Sequence, residues 1–214
     1  MKLAVIDYGL CNLLSVYHAF HSMGVEAQVT SDPEVVLNAD AAILPGVGAF
    51  GDGMKGLRDK GLIKPIDEFV KTGKPFLGIC LGAQMLLTRS HEFGVHEGLN
   101  FIPGEVRGFK GTPEVPLKIP HIGWNQLRLG QASWEGTILE GLKDGEQMYF
   151  VHSFYLDPAD QRCGLARTEY GNHKFCSVVA KGNVYGCQFH PEKSAGAGLK
   201  ILNNFVHLIK RCPL

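Results

Sequence analysis

The amino-terminal part of the chain repeats one pattern: a short, nearly all-apolar run, a glycine-containing turn, then a stretch with apolar residues three and four apart. Lys2–Ile6 is such a run, closing at Asp7, and runs of this kind suit strands buried on both faces of a parallel sheet. After the turn Tyr8-Gly9-Leu10-Cys11-Asn12, residues Leu13, Val16, Tyr17 and Phe20 share one helical face, and Gly24 stands where a helix end favours glycine. Val25–Thr30 reads as the second strand, Ser31 as the cap of a short helix reaching Ala39, and Ala41–Leu44 as the third strand, ending at Pro45-Gly46-Val47-Gly48. Leu62–Lys71 is helical in pattern, Pro75–Ile79 is apolar, and Ala83–Leu87 is compatible with a further helix. This alternation predicts a right-handed, doubly wound α/β sheet.

The remainder has a different rhythm. Between His91 and Gln147, Gly and Pro interrupt any sustained periodicity. Gln147–Val151, Gly164–Thr168, Phe175–Ala180 and Val184–Phe189 then read as strands, joined by the turn signals Tyr170-Gly171-Asn172-His173 and Lys181-Gly182-Asn183, and partly antiparallel. A closing helix over Gly196–Arg211 presents Leu199, Leu202, Val206 and Ile209 on one face. No repeat, low-complexity tract or linker divides the chain, so residues 1–214 are expected to form one mixed α/β domain.

Composition narrows the function classes. The 214 residues are 45% hydrophobic and 20% charged, as in ordinary soluble globular proteins. Lys plus Arg and Asp plus Glu each number 21, which argues against a nucleic-acid or anionic-membrane surface as the main partner. No apolar run is long enough for a membrane-spanning helix, and Leu3–Ile6 is too short for a signal-peptide core. The six cysteines, Cys11, Cys80, Cys163, Cys176, Cys187 and Cys212, include no C-x-x-C pair, which favours a reduced cytoplasmic setting. Five of them are expected to be inert packing residues; Cys80 is set apart by its neighbours.

Gly78-Ile79-Cys80-Leu81-Gly82 has the form glycine-x-nucleophile-x-glycine between a strand and a helix. Flanking glycines relieve the crowding of a strained turn, and a helix starting just after Cys80 favours a thiolate. A nucleophile of this kind wants a base and the base an orienting group. Of nine histidines, His190 in Gln188-Phe189-His190-Pro191-Glu192-Lys193-Ser194 lies at the end of a predicted strand, where open α/β sheets place their chemistry. In extended chain, Glu192 would lie beside His190 on the same side and bind one ring nitrogen, leaving the other for Cys80. A metal pair is the competing reading of His-x-Glu, but no third ligand at telling spacing accompanies it. Pro45-Gly46-Val47-Gly48 lacks the lysine and hydroxyl of a P-loop; beside the elbow it suits a second oxyanion donor better than a phosphate cradle.

These strings, with Pro120-His121-Ile122-Gly123-Trp124-Asn125, Tyr149-Phe150-Val151-His152-Ser153 and the opening Asp7-Tyr8-Gly9, give the chain its likeness to a known family. It resembles the class I (triad) glutamine amidotransferases, and within them the glutaminase subunits of imidazole glycerol phosphate synthases. The resemblance implies a flavodoxin-like, mostly parallel mixed sheet with helices on both faces. It implies hydrolysis of L-glutamine by Cys80, His190 and Glu192, with an oxyanion hole at Leu81 and the Gly46-Val47 turn, and a substrate clamp of Gly48, Gln84, Glu92 and Ser153. It implies no cofactor and no metal. The partner it implies is a (β/α)8-barrel cyclase subunit, docked on Asn12, Trp124, Tyr149 and Lys193, which uses the ammonia in histidine biosynthesis. The chain departs from the usual pattern at Cys11, Ala83 and His91, none of them in the triad. A paralogue supplying another synthase, for example in surface-sugar amination, and a different elbow-cysteine hydrolase are the alternatives. His-Pro-Glu favours the glutaminase over the second, and the intact triad argues against a purely binding subunit.

Overall fold

The computed structural model describes residues 1–211; Cys212 lies outside them. The first half comprises β1 (Leu3–Ile6), α1 (Leu13–Ser22), β2 (Ala27–Thr30), α2 (Pro33–Leu37), β3 (Ala41–Gly46), α3 (Phe50–Asp59), α4 (Ile63–Lys71), β4 (Phe76–Cys80) and α5 (Leu81–Met85). Short strands β5 (Arg89–Ser90) and β6 (His96–Glu97) precede β7 (Gly104–Gly108), β8 (His121–Gln126) and β9 (Arg128–Leu129). The chain continues through β10 (Gln147–His152), β11 (Phe154–Pro158), β12 (Gly164–Tyr170), β13 (His173–Lys181), β14 (Val184–Cys187) and α6 (Ala195–Arg211).

Strands β2-β1-β3-β4-β14 run parallel, and β13, β11 and β7 extend the sheet antiparallel. A separate antiparallel ribbon pairs β8 with β10, with Trp124 opposite Tyr149. The strand order reverses between β1 and β3, so the crevice at their carboxyl ends is the topological switch point where such sheets bind ligands. Strand alternation divides the core. Val5, Ile43, Leu77 and Ile79 face Phe20 of α1 and Ile201, Leu202 and Phe205 of α6. Ala4, Ile6, Ala42, Leu44 and Phe76 face Val36, Phe50, Leu57 and Phe69 of α2, α3 and α4. Burial on both faces is why these strands carry no polar alternation. The mixed sheet with helices on both faces is as expected, and no helix among the described residues is long and apolar enough to cross a membrane.

Several boundaries differ from the sequence pattern. Asp32, not Ser31, caps α2: its carboxylate accepts from the Glu34 amide and Pro33 occupies the first helical position. That helix ends at Leu37 rather than Ala39. Helix α3 has no counterpart in the periodicity reading, because Gly51, Gly53 and Gly56 dilute it. Those glycines serve close packing instead: a Cβ on Gly56 would stand 2.5 Å from the Tyr8 carbonyl oxygen, and one on Gly53 would stand 2.9 Å from Met85 Sδ. Strands β7, β8 and β11 lie in or beside the stretch whose Gly and Pro content hid them. Strand β14 ends at Cys187, so Gln188, Phe189 and His190 follow it in irregular chain.

Candidate active site

Cys80 is both the last residue of β4 and the cap of α5, with φ +54° and ψ −108°. A non-glycine residue there carries strain of about 1–3 kcal/mol that the surroundings must hold in place. The surroundings are its two glycines. A Cβ on Gly82 would fall 1.7 Å from the Leu44 carbonyl oxygen, and one on Gly78 would fall 2.7 Å from the Ala83 amide nitrogen. The turn thus folds back on β3 and on its own helix more closely than any side chain permits. Helix α5 has only five residues, but the Leu81 amide is among the first-turn N–H groups with no acceptor inside the helix. Cys80 is 7% exposed. Its Sγ lies 3.9 Å from the Val151 carbonyl oxygen and 4.0 Å from Gln188 Nε2.

His190 Nδ1 is 2.8 Å from Glu192 Oε1, and the two side chains are 2 and 1% exposed. The pairing arises otherwise than by extended-chain spacing. Pro191–Lys193 form a single 3-10 turn with Pro191 at its start, which folds Glu192 back under the imidazole. The turn is anchored to β10: the His190 amide donates to the Tyr149 carbonyl (3.0 Å), the Tyr149 amide to Ser194 Oγ (3.0 Å), and the Ser194 hydroxyl to the His190 carbonyl (2.6 Å). Burial alone would lower the His190 pKa; Cys80 and Glu192 outweigh it and push it up to about 10. His190 Nε2 is buried and makes no ordinary hydrogen bond among the described residues, nor does Glu192 Oε2. The Cys80 influence is therefore that of a nearby thiol not aligned for a hydrogen bond with Nε2.

A cavity of about 290 Å³ opens over the elbow, lined by Val47, Gly48, Cys80, Leu81, Gln84, Glu92, Pro120 and the segment 151–154. It brings together every residue expected from the sequence to clamp substrate: Gly48, Gln84, Glu92 and Ser153. A larger cleft, about 730 Å³, lies among Lys2, Tyr17, His21, Glu26 and Asn38 and shares no lining residue with this cavity; of the two, the smaller one is lined by Cys80. Gln84 is buried and donates to the Phe154 carbonyl (2.9 Å). Glu92 Oε2 accepts from the Phe50 amide at 2.7 Å, so it caps α3 from across the cavity, and burial raises its pKa. His152 lines the same wall, with no role suggested by its sequence context. Its Nδ1 contacts the Phe154 carbonyl (2.8 Å) and its Nε2 contacts His121 Nδ1 (3.0 Å). A carbonyl only accepts, so His152 Nδ1 is the donor and Nε2 the acceptor. Burial holds His152 and His121 in neutral form, pushing their pKa values down to about 3 and about 4.

The Gly46-Val47 turn lies at the cavity edge, where Gly46 pairs with Cys80 across β3 and β4. A Cβ on Gly46 would stand 1.9 Å from the Tyr8 hydroxyl oxygen, which explains the glycine. The Val47 amide donates to the Leu10 carbonyl (2.9 Å) in this state, so it serves an oxyanion only after that peptide turns. Trp124 stacks edge-on against Tyr149 with ring centroids 6.0 Å apart. It is 54% exposed, Ile122 beside it is 57% exposed, and Lys193 is exposed on the turn that carries His190. Asn12 is half-buried at the start of α1 and accepts from Ser15 Oγ (3.1 Å). Among the other cysteines, burial pushes Cys11 up to about 11 and Cys176 up to about 12, away from thiolate chemistry.

A cysteine elbow at the carboxyl edge of a doubly wound sheet, facing a buried His–Glu pair, defines a class. The family model "Glutamine amidotransferase class-I" matches residues 4–209, and the chain belongs to that family. Its curated relatives narrow the likeness. It is 49% identical over 206 residues to the "Imidazole glycerol phosphate synthase subunit HisH" of Syntrophotalea carbinolica, covering 95% of this chain and 98% of that one. It is 47% identical over 211 residues to "Imidazole glycerol phosphate synthase subunit HisH 1" of Legionella pneumophila, covering 97% and 99%. The solved structure of PurLQS from Thermotoga maritima matches at a TM-score of 0.71 and 21% identity over 96% of this chain and 97% of that one, a likeness of fold.

Proposed function

We propose that this chain is the glutaminase subunit of an imidazole glycerol phosphate synthase, hydrolysing L-glutamine to glutamate and ammonia. The observation that carries the reading is the joint geometry of the Cys80 elbow and the buried His190–Glu192 pair. With the thiol proton resting on His190, whose pKa is pushed up to about 10, Cys80 Sγ attacks the side-chain amide carbon as the thiolate of that pair. Glu192 holds the ring through Nδ1 and balances its charge. The oxyanion that forms is met by the Leu81 amide and, once the Val47 peptide has turned away from Leu10, by a second N–H from the Gly46-Val47 turn. His190 then delivers its proton to the departing nitrogen, ammonia leaves, and water activated by the same imidazole releases glutamate from the thioester. Gln84, Glu92, Ser153 and Gly48 hold the amino-acid end; Glu92 is suited to the substrate ammonium.

The liberated ammonia is taken to be used by a (β/α)8-barrel cyclase in a cytoplasmic heterodimer, yielding imidazole glycerol phosphate and aminoimidazole carboxamide ribotide for histidine biosynthesis. Support comes from the β8–β10 ribbon: exposed Trp124 and half-buried Tyr149 share a face with exposed Ile122, next to Val151, whose carbonyl is 3.9 Å from Cys80 Sγ. Exposed aromatic anchors of this kind are common at interfaces. The engaged Val47 amide gives the partner something to change, so glutamine hydrolysis is expected to be slow alone and to rise strongly with the cyclase and its ligand. Trp124→Ala should blunt that rise and leave the unassisted rate unchanged. No hydrolysis in the complex, with Cys80→Ser indistinguishable from wild type, would overturn the reading.

A further inference from the structure

We propose that Gln188 is a second group acting on the nucleophile, its side-chain N–H directed at Cys80 Sγ in an orientation fixed by Gln84 and the Phe154 carbonyl. Gln188 is fully buried just beyond the end of β14, and its backbone amide donates to the Ser177 carbonyl at 2.9 Å. Its Nε2 lies 4.0 Å from Cys80 Sγ, and its Oε1 lies 3.2 Å from Gln84 Nε2.

Which end of an amide faces which neighbour is settled by the hydrogen-bond network, and here the network has one solution. The Phe154 carbonyl only accepts, so the group 2.9 Å from it on Gln84 must be the NH2. One hydrogen of that NH2 goes to Phe154 and the other points to Gln188, which must answer with its oxygen. The Gln188 NH2 is thereby turned toward the sulfur. The opposite orientation would set two NH2 groups against each other in a fully buried site. The Phe154 carbonyl is itself held from its other side by His152 Nδ1 at 2.8 Å.

Two neutral groups therefore meet the sulfur with opposite preferences. The Val151 carbonyl, 3.9 Å away, can only accept and favours the thiol. The Gln188 N–H can only donate and favours the thiolate, the form that attacks. Neither contact carries a charge of its own, so Gln188 assists the thiolate without competing with Glu192 for the His190 proton. This deepens the glutaminase reading by adding a group at the reacting atom, yet its test needs neither glutamine nor a partner.

The test is the pH dependence of Cys80 alkylation by iodoacetamide, followed by peptide mass spectrometry, in wild type, Gln188→Leu and Gln188→Glu. Loss of a hydrogen bond to a charged group should slow alkylation at neutral pH by about tenfold and move the profile to higher pH in both variants. A folded variant of either kind with the wild-type profile overturns the proposal. In unsubstituted protein, the Gln188 side-chain 15N–1H resonances should move over the same pH range as the alkylation rate; resonances that stay fixed across that range overturn it whatever the variants do. Failure here would leave glutamine hydrolysis by Cys80 untouched. Failure of glutamine hydrolysis, with the alkylation shift present, would leave the Gln188 contact standing.

Discussion

Glu192→Gln isolates what the carboxylate does for His190. The substitution keeps the shape of the side chain and removes its charge from a site where both partners are 2% exposed or less and 2.8 Å apart. Removing one partner of such a buried pair costs about 3–5 kcal/mol, because the other charge is left without compensation. If the imidazolium that accompanies the attacking thiolate loses that amount of stabilisation, kcat/KM for glutamine falls by roughly 10²–10⁴, at about 1.4 kcal/mol per decade. The ground state changes as well. With Glu192 gone, burial is opposed by Cys80 alone, and the His190 pKa falls below about 10. In the wild type the folded-state pKa lies above the ordinary 6.5, so the proton on His190 contributes its full stability below that value and the contribution is lost as pH rises through about 10. The variant should lose much less stability over that window. Steady-state glutaminase kinetics of the assembled complex, together with scanning calorimetry at neutral and alkaline pH, measure both effects. A variant with kcat/KM within tenfold of wild type and an unchanged dependence of Tm on pH would refute the reasoning.

Two further expectations concern the elbow itself. Gly82→Ala forces a Cβ to within 1.7 Å of the Leu44 carbonyl oxygen, where backbone rather than a flexible side chain must yield; denaturant unfolding should show a loss of about 3 kcal/mol or more, as for overpacking at its severe end, and a stability equal to wild type would mean that the turn is looser than described. Cys80→Gly abolishes hydrolysis but relieves a residue at φ +54°; a gain of about 1 kcal/mol in unfolding free energy is expected, with Cys80→Ser showing none, and a Gly variant less stable than the Ser variant would argue against stored strain.

The parallel half of the fold was legible because its strands are buried on both faces and its helices bury one face each, so hydrophobic pattern and topology carry the same information. Helix α3 escaped because Gly51, Gly53 and Gly56 answer to what lies against them, the His96 ring, Met85 and the Tyr8 carbonyl in turn, and not to helix propensity. Strand β8 escaped because Gly123 and neighbouring Pro120 read as loop punctuation, whereas the strand is defined by pairing with β10, a long-range contact that periodicity does not record. The Cys80 elbow and the pairing of His190 with Glu192 were readable from short strings, since each lies within a few residues of sequence. The route by which Glu192 reaches His190 was not, because a 3-10 turn replaced the extended chain assumed for it. Gln188 stood in plain view between Cys187 and Phe189, but its relevance depends on Gln84 and Phe154, which come together only in the folded chain. The engaged Val47 amide is likewise a property of the Leu10 carbonyl opposite it and leaves no mark on the sequence.

The most direct test of glutamine hydrolysis at Cys80 is acid quenching of the enzyme during turnover with glutamine, followed by mass spectrometry of its peptides. The expected result is a glutamyl thioester on the peptide containing Cys80, present only with substrate and absent from Cys80→Ala. Turnover of glutamine in a Cys80→Ala protein at the wild-type rate, or a glutamyl group carried on a different residue, would contradict it.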